Sequence, residues 1–156
     1  MSDMIAEWQS PSRRATGPML TALAQPLVLV AEEVAVLTPI IADLCAFLRV
    51  RAEHVAPSAL GAALRHQGPV GVLCHAPRTN GAIAGVLRAV IAADPSLPVL
   101  VVTEHDASRA ARLAVAHEII GLDHLVWLDE LPDLRRMVDF LFLAERRAYR
   151  GGMVRV

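Results

Sequence analysis

The sequence contains no lysine, so all fifteen of its basic side chains are arginines. The apolar run from Leu125 to Leu128 therefore ends without an ammonium group beside it. A second gap lies in the middle of the chain, where no Asp or Glu occurs between Glu53 and Asp94. Together these absences exclude a lysine at the end of the last apolar run and a carboxylate nucleophile between Glu53 and Asp94, in the middle of the predicted sheet.

Cysteine is scarce, and its two occurrences, Cys45 and Cys74, lie in apolar runs without CxxC spacing. This pattern argues against a disulfide scaffold or a structural zinc site and favours buried free thiols in a reducing cytoplasm. The chain also lacks the run of about 18 to 20 apolar residues that a membrane span needs, and its first 25 residues lack the apolar core of a signal peptide. We expect a cytoplasmic protein that does not interact with a membrane.

The charges nearly balance, with 15 arginines against 16 acidic residues and a net charge of −1. Such a chain has no overall basic field to attract a nucleic acid, so we expect no nucleic-acid partner. Hydrophobic residues make up 54% of the sequence although aromatic residues contribute only 4%. A composition rich in Ala, Val and Leu suits helices packed on a buried parallel sheet.

Apolar runs of strand length alternate with helical patterns from Pro26 onwards, which indicates a parallel α/β sheet. The predicted strands are residues 27–31 (β1), 52–56 (β2), 70–75 (β3), 98–103 (β4) and 124–128 (β5). The predicted helices are a segment through 40–48 (α1), then 58–67 (α2), 82–93 (α3), 107–119 (α4) and 132–149 (α5). A chain of 156 residues fits one such domain. We therefore predict a flexible N-terminal arm at 1–25, one folded domain at 26–150 and a tail at 151–156.

Five βα units of this size resemble the receiver domain of two-component response regulators over roughly residues 26–148. The features that carry the resemblance are Glu32-Glu33 after β1, a Pro-x-x-Asn-Gly loop at 77–81 after β3, Thr103 at the end of β4, and Gly-Leu-Asp at 121–123 before β5. The resemblance implies a flavodoxin-like (βα)5 fold with parallel strands in the order 2-1-3-4-5. It also implies an active edge at the carboxyl ends of the strands, where open α/β sheets generally bind ligands.

Part of the receiver phosphorylation site is present by this resemblance. The acidic pair that binds Mg²⁺ in receivers maps on Glu32 and Glu33, and the hydroxyl residue that ends β4 maps on Thr103. A hard cation prefers such oxygen ligands, so Glu32 and Glu33 are candidates for a weakly bound divalent cation. We expect no other cofactor.

The reactive groups of that site are missing. The phosphoacceptor position, four residues before Pro77, falls on Leu73, or on Cys74 if the alignment is shifted by one residue. The lysine position falls on Leu128. Neither Leu73 nor Cys74 can form an acyl phosphate, and no ammonium group is available to stabilise a phosphoryl group. The chain thus resembles a degenerate receiver, or pseudoreceiver, and we expect no enzymatic activity.

Other side chains near the same edge support a second hypothesis from a different functional class. Cys74 and His75 follow β3 and His105 follows β4, so with the two glutamates they offer the sulfur, nitrogen and oxygen donors that zinc accepts. Six histidines in a chain of this length also place two near one edge by chance. A small-molecule or metal-binding sensor on a flavodoxin-like sheet is therefore the alternative.

The predicted helix α5 carries more apolar residues than one sheet can cover. They stand at nearly successive positions: Met137, Val138, Phe140, Leu141, Phe142 and Leu143. Because a helix turns about 100° per residue, they cannot all face one side, and an exposed apolar patch commonly marks an interaction surface. The cover is either a protein partner or the N-terminal arm, through Met19, Leu20 and Leu23.

The resemblance favours a partner, because the α4-β5-α5 face of receivers is a common dimer and output surface. The predicted interface residues are Met137, Phe140, Leu141, Phe142, Arg135 and Arg136. The arginines can form bidentate pairs with carboxylates across a two-fold axis. We therefore expect a stand-alone pseudoreceiver that is homodimeric through α4-β5-α5 and acts in bacterial signalling by phosphorylation-independent protein-protein interaction.

Overall fold

The computed structural model describes residues 25–75, 80–129 and 133–154. The predicted N-terminal arm, apart from residue 25, lies outside the described residues, as do the first part of the loop after β3 and the last two residues of the predicted tail.

The chain forms one five-stranded parallel sheet in the order β2-β1-β3-β4-β5, which confirms the predicted fold. The strands are β1 (Leu27–Ala31), β2 (Arg51–Val55), β3 (Gly71–His75), β4 (Val99–Val102) and β5 (Leu125–Leu128). The three central strands are almost fully buried, as their unbroken apolar runs require in a sheet covered on both faces. The edge strand β2 has no buried residue and exposes Arg51, Glu53 and His54.

The helices are α1 (Leu37–Phe47), α2 (Leu60–Gln67), α3 (Asn80–Ala93), α4 (His105–Ala114) and α5 (Leu134–Val154). A 3₁₀ turn at Pro57–Ala59 precedes α2, and a short helix at Ala116–Ile120 follows α4. Gly68 ends α2 with a φ of 56°, the left-handed conformation that glycine adopts without a steric cost. No helix in the described part of the chain is long and apolar enough to cross a membrane.

The core consists of two layers, one on each face of the sheet. Side chains of α2, α3 and α4 pack on one face with β-strand residues such as Leu29 and Val101. On the other face, α1 and α5 pack around Val28, Val30 and Leu73. Right-handed crossovers place α1 on one face and α2, α3 and α4 on the other, because the chain moves from β1 to β2 in one direction and from β2 to β5 in the other.

The end of α5 differs from the prediction. The helix runs to Val154 instead of ending near Tyr149, so Gly151 and Gly152 lie within it. A glycine costs about 1 kcal/mol in a helix interior, which is too little to stop a long helix whose backbone hydrogen bonds continue.

The predicted interface on α5 is wrong for three of its residues. Met137, Phe140 and Leu141 are buried in the layer shared with α1, and Ala144 completes the pattern i, i+3, i+4, i+7 of a core-facing stripe. These side chains therefore stabilise the fold and cannot line an exposed surface. Phe142, by contrast, is 43% exposed, and Arg135 and Arg136 are also exposed.

Candidate functional site

Glu32 stands at the carboxyl end of β1 and is only 1% exposed. One carboxylate oxygen accepts hydrogen bonds from the backbone N–H (3.1 Å) and the hydroxyl (2.8 Å) of Thr38. The other oxygen accepts a hydrogen bond from the backbone N–H of Leu37 (2.9 Å). The first N–H groups of a helix have no partner within the helix, and a carboxylate there also interacts favourably with the helix dipole. Glu32 therefore caps α1 from outside the helix.

The ionised form of Glu32 is favoured despite its burial. Burial raises the pKa of this carboxyl, but the hydrogen bonds from Leu37 and Thr38 and the charge of His75 outweigh that effect and leave the pKa below its usual value. Glu33, the second member of the predicted acidic pair, is exposed. The two glutamates thus have different environments, and only Glu32 belongs to the interior of the site.

Two histidines flank Glu32. The Nδ1 of His75, at the end of β3, lies 3.3 Å from a carboxylate oxygen of Glu32. The Nε2 of His54, on the edge strand β2, donates to the backbone carbonyl of Glu32 at 2.9 Å. The spacing of these three residues in the sequence gave no signal for this cluster, which depends on the parallel pairing of β1 with β2 and β3.

The receiver positions for the phosphoacceptor and the lysine are filled by apolar side chains. Leu73 and Leu128 are each 1% exposed, and both belong to the core layer that contains α1 and α5. A buried leucine offers neither a nucleophile nor a charge, and its packing excludes the water and ions that a phosphoryl site needs. The centre of this edge is therefore an extension of the core.

Cys74, the alternative phosphoacceptor position, is also unreactive. Burial raises the pKa of its thiol to about 12, with a further contribution from the negative charge of Glu32. Burial likewise raises the pKa of Cys45 to about 11. Because the thiolate is the nucleophile and the metal ligand, both residues act as small apolar groups in the core. The prediction of two buried free thiols is confirmed.

Thr103 follows β4 and is buried, and its hydroxyl accepts a hydrogen bond of 3.0 Å from the indole N–H of Trp127. The backbone N–H of Thr103 also donates to the carbonyl of Leu128 at 3.0 Å. The hydroxyl that resembles a receiver site residue therefore connects β4 to β5. Sequence reasoning located Thr103 but missed Trp127 as its partner.

The structure does not assemble the predicted mixed metal site. No group of three or more His, Cys, Asp or Glu residues that could hold a metal occurs within residues 25–75, 80–129 and 133–154. His105 instead lines a groove on α4 together with Ser108 and Arg109. Both oxygens of Glu32 already accept hydrogen bonds from α1, so a cation would compete for the same lone pairs. The weakly bound cation at Glu32 and Glu33 stays a prediction.

A second polar cluster lies on the exposed side of α4 and β5. Asp129 accepts hydrogen bonds from the hydroxyl of Ser108 and from Arg112 (2.8 Å), and the Arg112 guanidinium also stacks over the Trp127 ring at 5.4 Å. The Ser108 bond and the positive charge of Arg112 lower the pKa of Asp129, although burial opposes them. Arg136 of α5 donates to the carbonyl of Trp127 at 3.1 Å. These contacts join α4, β5 and α5 into one surface.

This surface includes a groove of about 480 Å³, lined by His105, Ser108, Arg109, Arg112, Leu113 and Asp129. Leu113 is 70% exposed at its margin. An exposed leucine bordered by arginines and an aspartate has the composition of a small interaction surface, in which an apolar anchor is surrounded by polar groups. The sequence prediction placed the apolar anchor on α5, whereas the structure presents it on α4.

The fold is similar to several solved structures. One is a signal receiver domain assigned to a LuxO repressor protein of Vibrio parahaemolyticus, with a TM-score of 0.60, 15% identity, and coverage of 83% of this chain and 97% of the other. The beryllofluoride-activated NtrC receiver domain gives a TM-score of 0.56 at 14% identity, covering 78% of this chain and 96% of the other.

A protein from Burkholderia pseudomallei described as pilus assembly-related gives a TM-score of 0.57 at 20% identity, covering 80% of this chain and 92% of the other. No protein-family model matches the sequence, and no curated protein matches it.

Proposed function

We propose that this chain, which has the fold of a receiver domain, is a stand-alone pseudoreceiver that acts by protein-protein interaction in bacterial signalling or regulation. It is non-enzymatic, works in the cytoplasm and is controlled without aspartyl phosphorylation. The fold similarity supports a signalling role, since receiver domains bind proteins, and the residues of the carboxyl edge support the absence of phosphoryl chemistry.

The observation that carries this proposal is the burial of Leu73 and Leu128 in one apolar layer. Phosphoryl transfer to a protein needs a nucleophile and groups that stabilise the charge on the transferring phosphoryl group. Here both positions are apolar, and the carboxylate of Glu32, at the end of the neighbouring strand β1, already accepts hydrogen bonds from the N-terminus of α1.

Incubation with acetyl phosphate and Mg²⁺ tests the absence of phosphorylation. We expect the intact mass of the protein to stay unchanged, because neither Leu73 nor Cys74 can form an acyl phosphate and burial keeps the Cys74 thiol protonated. A receiver domain with an aspartate at that position serves as the positive control under the same conditions. A gain of one phosphoryl group that hydroxylamine removes would show an acyl phosphate and overturn the proposal.

The surface of α4, β5 and α5 is the proposed dimer interface. Its apolar anchor is Leu113, which lines the groove with Arg109, Arg112 and Asp129, and Arg136 of α5 contacts β5 beside them through the carbonyl of Trp127. Two copies related by a two-fold axis can pair the arginines of one with the aspartate of the other, because a two-fold interface brings the same patch of both copies together.

Replacing Leu113 by aspartate is expected to weaken the dimer at least about tenfold, because a charge then replaces the apolar anchor of the interface. Light scattering over a dilution series measures the molar mass. Phe47→Asp is the matched control, since Phe47 is exposed on the other side of the sheet, and it should leave the mass unchanged. A monomeric wild-type chain, or an unchanged mass for Leu113→Asp, would contradict this interface.

A further inference from the structure

The exposed apolar side chains are concentrated on the side of the sheet that carries α1 and α5. Eight large apolar residues are exposed in the described part of the chain, and only Leu113 and Ile120 lie on the opposite side. The other six are Val34, Val36, Ile40 and Phe47 on or just before α1, and Leu134 and Phe142 on α5. Such a concentration on one side of a small domain indicates a surface that something covers.

The apolar flank of α5 is turned away from β5. Arg136 donates to the carbonyl of Trp127, and Arg147 donates to the carbonyl of Ser96 at 3.0 Å, so the flank with these arginines faces the β4 and β5 side. At about 100° per residue, Val138 lies about 160° around the helix from Arg136. Leu134 and Phe142, four residues to either side of Val138, therefore face α1.

The apolar flank of α1 faces the same space. Val36, Ile40 and Phe47 lie within about 40° of one another around the helix axis. Leu37, Ile41 and Cys45 point into the core. The right-handed crossover sets α1 antiparallel to the strands, over β1 and β2, with its core-facing stripe toward the sheet. In this orientation the flank with Phe47 faces the β3 side, where α5 lies.

The space between these two flanks, called the groove below, lies over β1 and β3 on the outer side of the helices, since Val28, Val30 and Leu73 beneath it are buried. Helix α1 contacts β2, and α5 contacts β4 and β5, so the order β2-β1-β3-β4-β5 leaves β1 and β3 beneath the space between the helices. Residues 1–24 join the fold at the amino end of β1. At that end the backbone N–H of Arg51 donates a hydrogen bond of 2.7 Å to the carbonyl of Pro26. Arg51 is only four residues beyond Phe47, so residues 1–24 join the fold near the Phe47 end of α1.

We infer that this groove is the docking site of the chain's own N-terminal segment, with Met19, Leu20 and Leu23 as the groups that enter it. In a helix, side chains at i, i+1 and i+4 fall within about 100° of one another, so this spacing suits one apolar face. Residue 19 is eight residues from Leu27, which allows a reach of up to about 26 Å, and α1 is only about 16 Å long.

A tethered segment has an advantage over a second copy or a separate partner. Its covalent attachment beside the groove gives it an effective concentration in the millimolar range, so even a small apolar contact is occupied. The occupant also differs from that of the α4-β5-α5 surface, which lies on the far flank of α5, so both surfaces can be used at once.

Hydrogen exchange of the full-length protein, measured by mass spectrometry, tests the inference. In the wild-type chain we expect amides of residues 19–23 to exchange at least about tenfold more slowly than in an unstructured peptide, because docking protects them from solvent. Phe47→Asp and, independently, Leu20→Asp should remove that protection. Leu113→Asp is the matched control, and it should leave the protection intact.

Peptides from β3 and β4 report whether each variant is folded, and light scattering reports whether its molar mass changes. Unprotected residues 19–23 in the wild-type chain would overturn the inference, and so would protection that Phe47→Asp and Leu20→Asp both leave unchanged. Loss of protection accompanied by a fall in molar mass after Phe47→Asp would assign the groove to a second copy instead. These outcomes do not depend on the acetyl phosphate result.

Discussion

Replacing Phe140 by alanine is expected to lower the free energy of unfolding by about 4 kcal/mol, which is typical for truncating a fully buried aromatic side chain. The ring of Phe140 is 1% exposed and packs against the start of β3. An added Cβ on Gly71 would lie only 3.1 Å from the Phe140 ring and 3.2 Å from the Cβ of Ala144. The cavity left by alanine cannot close without moving α5 toward the sheet. Chemical denaturation of both proteins measures the difference.

Phe142→Ala is the control for this prediction, because it removes the same atoms two residues away on the same helix. With 43% of Phe142 exposed, its truncation is expected to cost less than about 1 kcal/mol. Equal losses for the two variants would show that the two rings are equally buried. A Phe140→Ala protein that unfolds like the wild type would contradict the assignment of Phe140 to the core.

Glu32→Ala is expected to lower the free energy of unfolding by about 3 kcal/mol, since it removes charge-assisted hydrogen bonds and leaves the first N–H groups of α1 without a partner. Glu33→Ala, at the adjacent exposed position, should change stability by less than about 0.5 kcal/mol. Thermal and chemical denaturation of the two variants give the comparison. If both substitutions had small effects, the carboxylate of Glu32 would not be a stabilising cap.

The contribution of Glu32 is also expected to depend on pH. Because the pKa of Glu32 is lower in the folded protein than its usual value of 4.5, folding favours the ionised form. The stabilisation is therefore complete above pH 4.5 and is lost as the pH falls through the lower, folded-state pKa. Glu32→Gln cannot ionise, so the stability difference between it and the wild type should shrink below pH 4.5. A difference that is constant from pH 7 to pH 3 would contradict this assignment.

Much of the fold could be predicted because a buried parallel sheet has a simple hydrophobic pattern in the sequence. Each central strand is buried on both faces and appears as a short apolar run. The helices between the strands are recognised because their apolar residues recur at the helical spacing instead of in an unbroken run. The order 2-1-3-4-5 came from the resemblance, which also located Leu73, Thr103 and Leu128. The helix breaks were harder to predict, since the interruption at Val115 between α4 and the short helix after it has no glycine or proline to signal it.

The candidate site was less predictable, because its contacts depend on where side chains point. The carboxylate of Glu32 turns toward the first turn of α1, and neither composition nor spacing predicts that orientation. In α5 the core stripe of Met137, Phe140, Leu141 and Ala144 follows the ordinary helical pattern. It was obscured by Phe142 and Leu143, which belong to other flanks.

The hydrogen bond between Thr103 and Trp127 ties β4 to β5 without any exchangeable ligand. Among the described residues, Leu73 and Leu128 leave the carboxyl edge without the aspartate and the lysine on which aspartyl phosphorylation of a receiver depends. If the proposed phosphorylation-independent control is correct, the amount of the protein in the cell becomes the controlled variable. Its synthesis and its degradation would set the output, and the time course of a response would follow the lifetime of the protein.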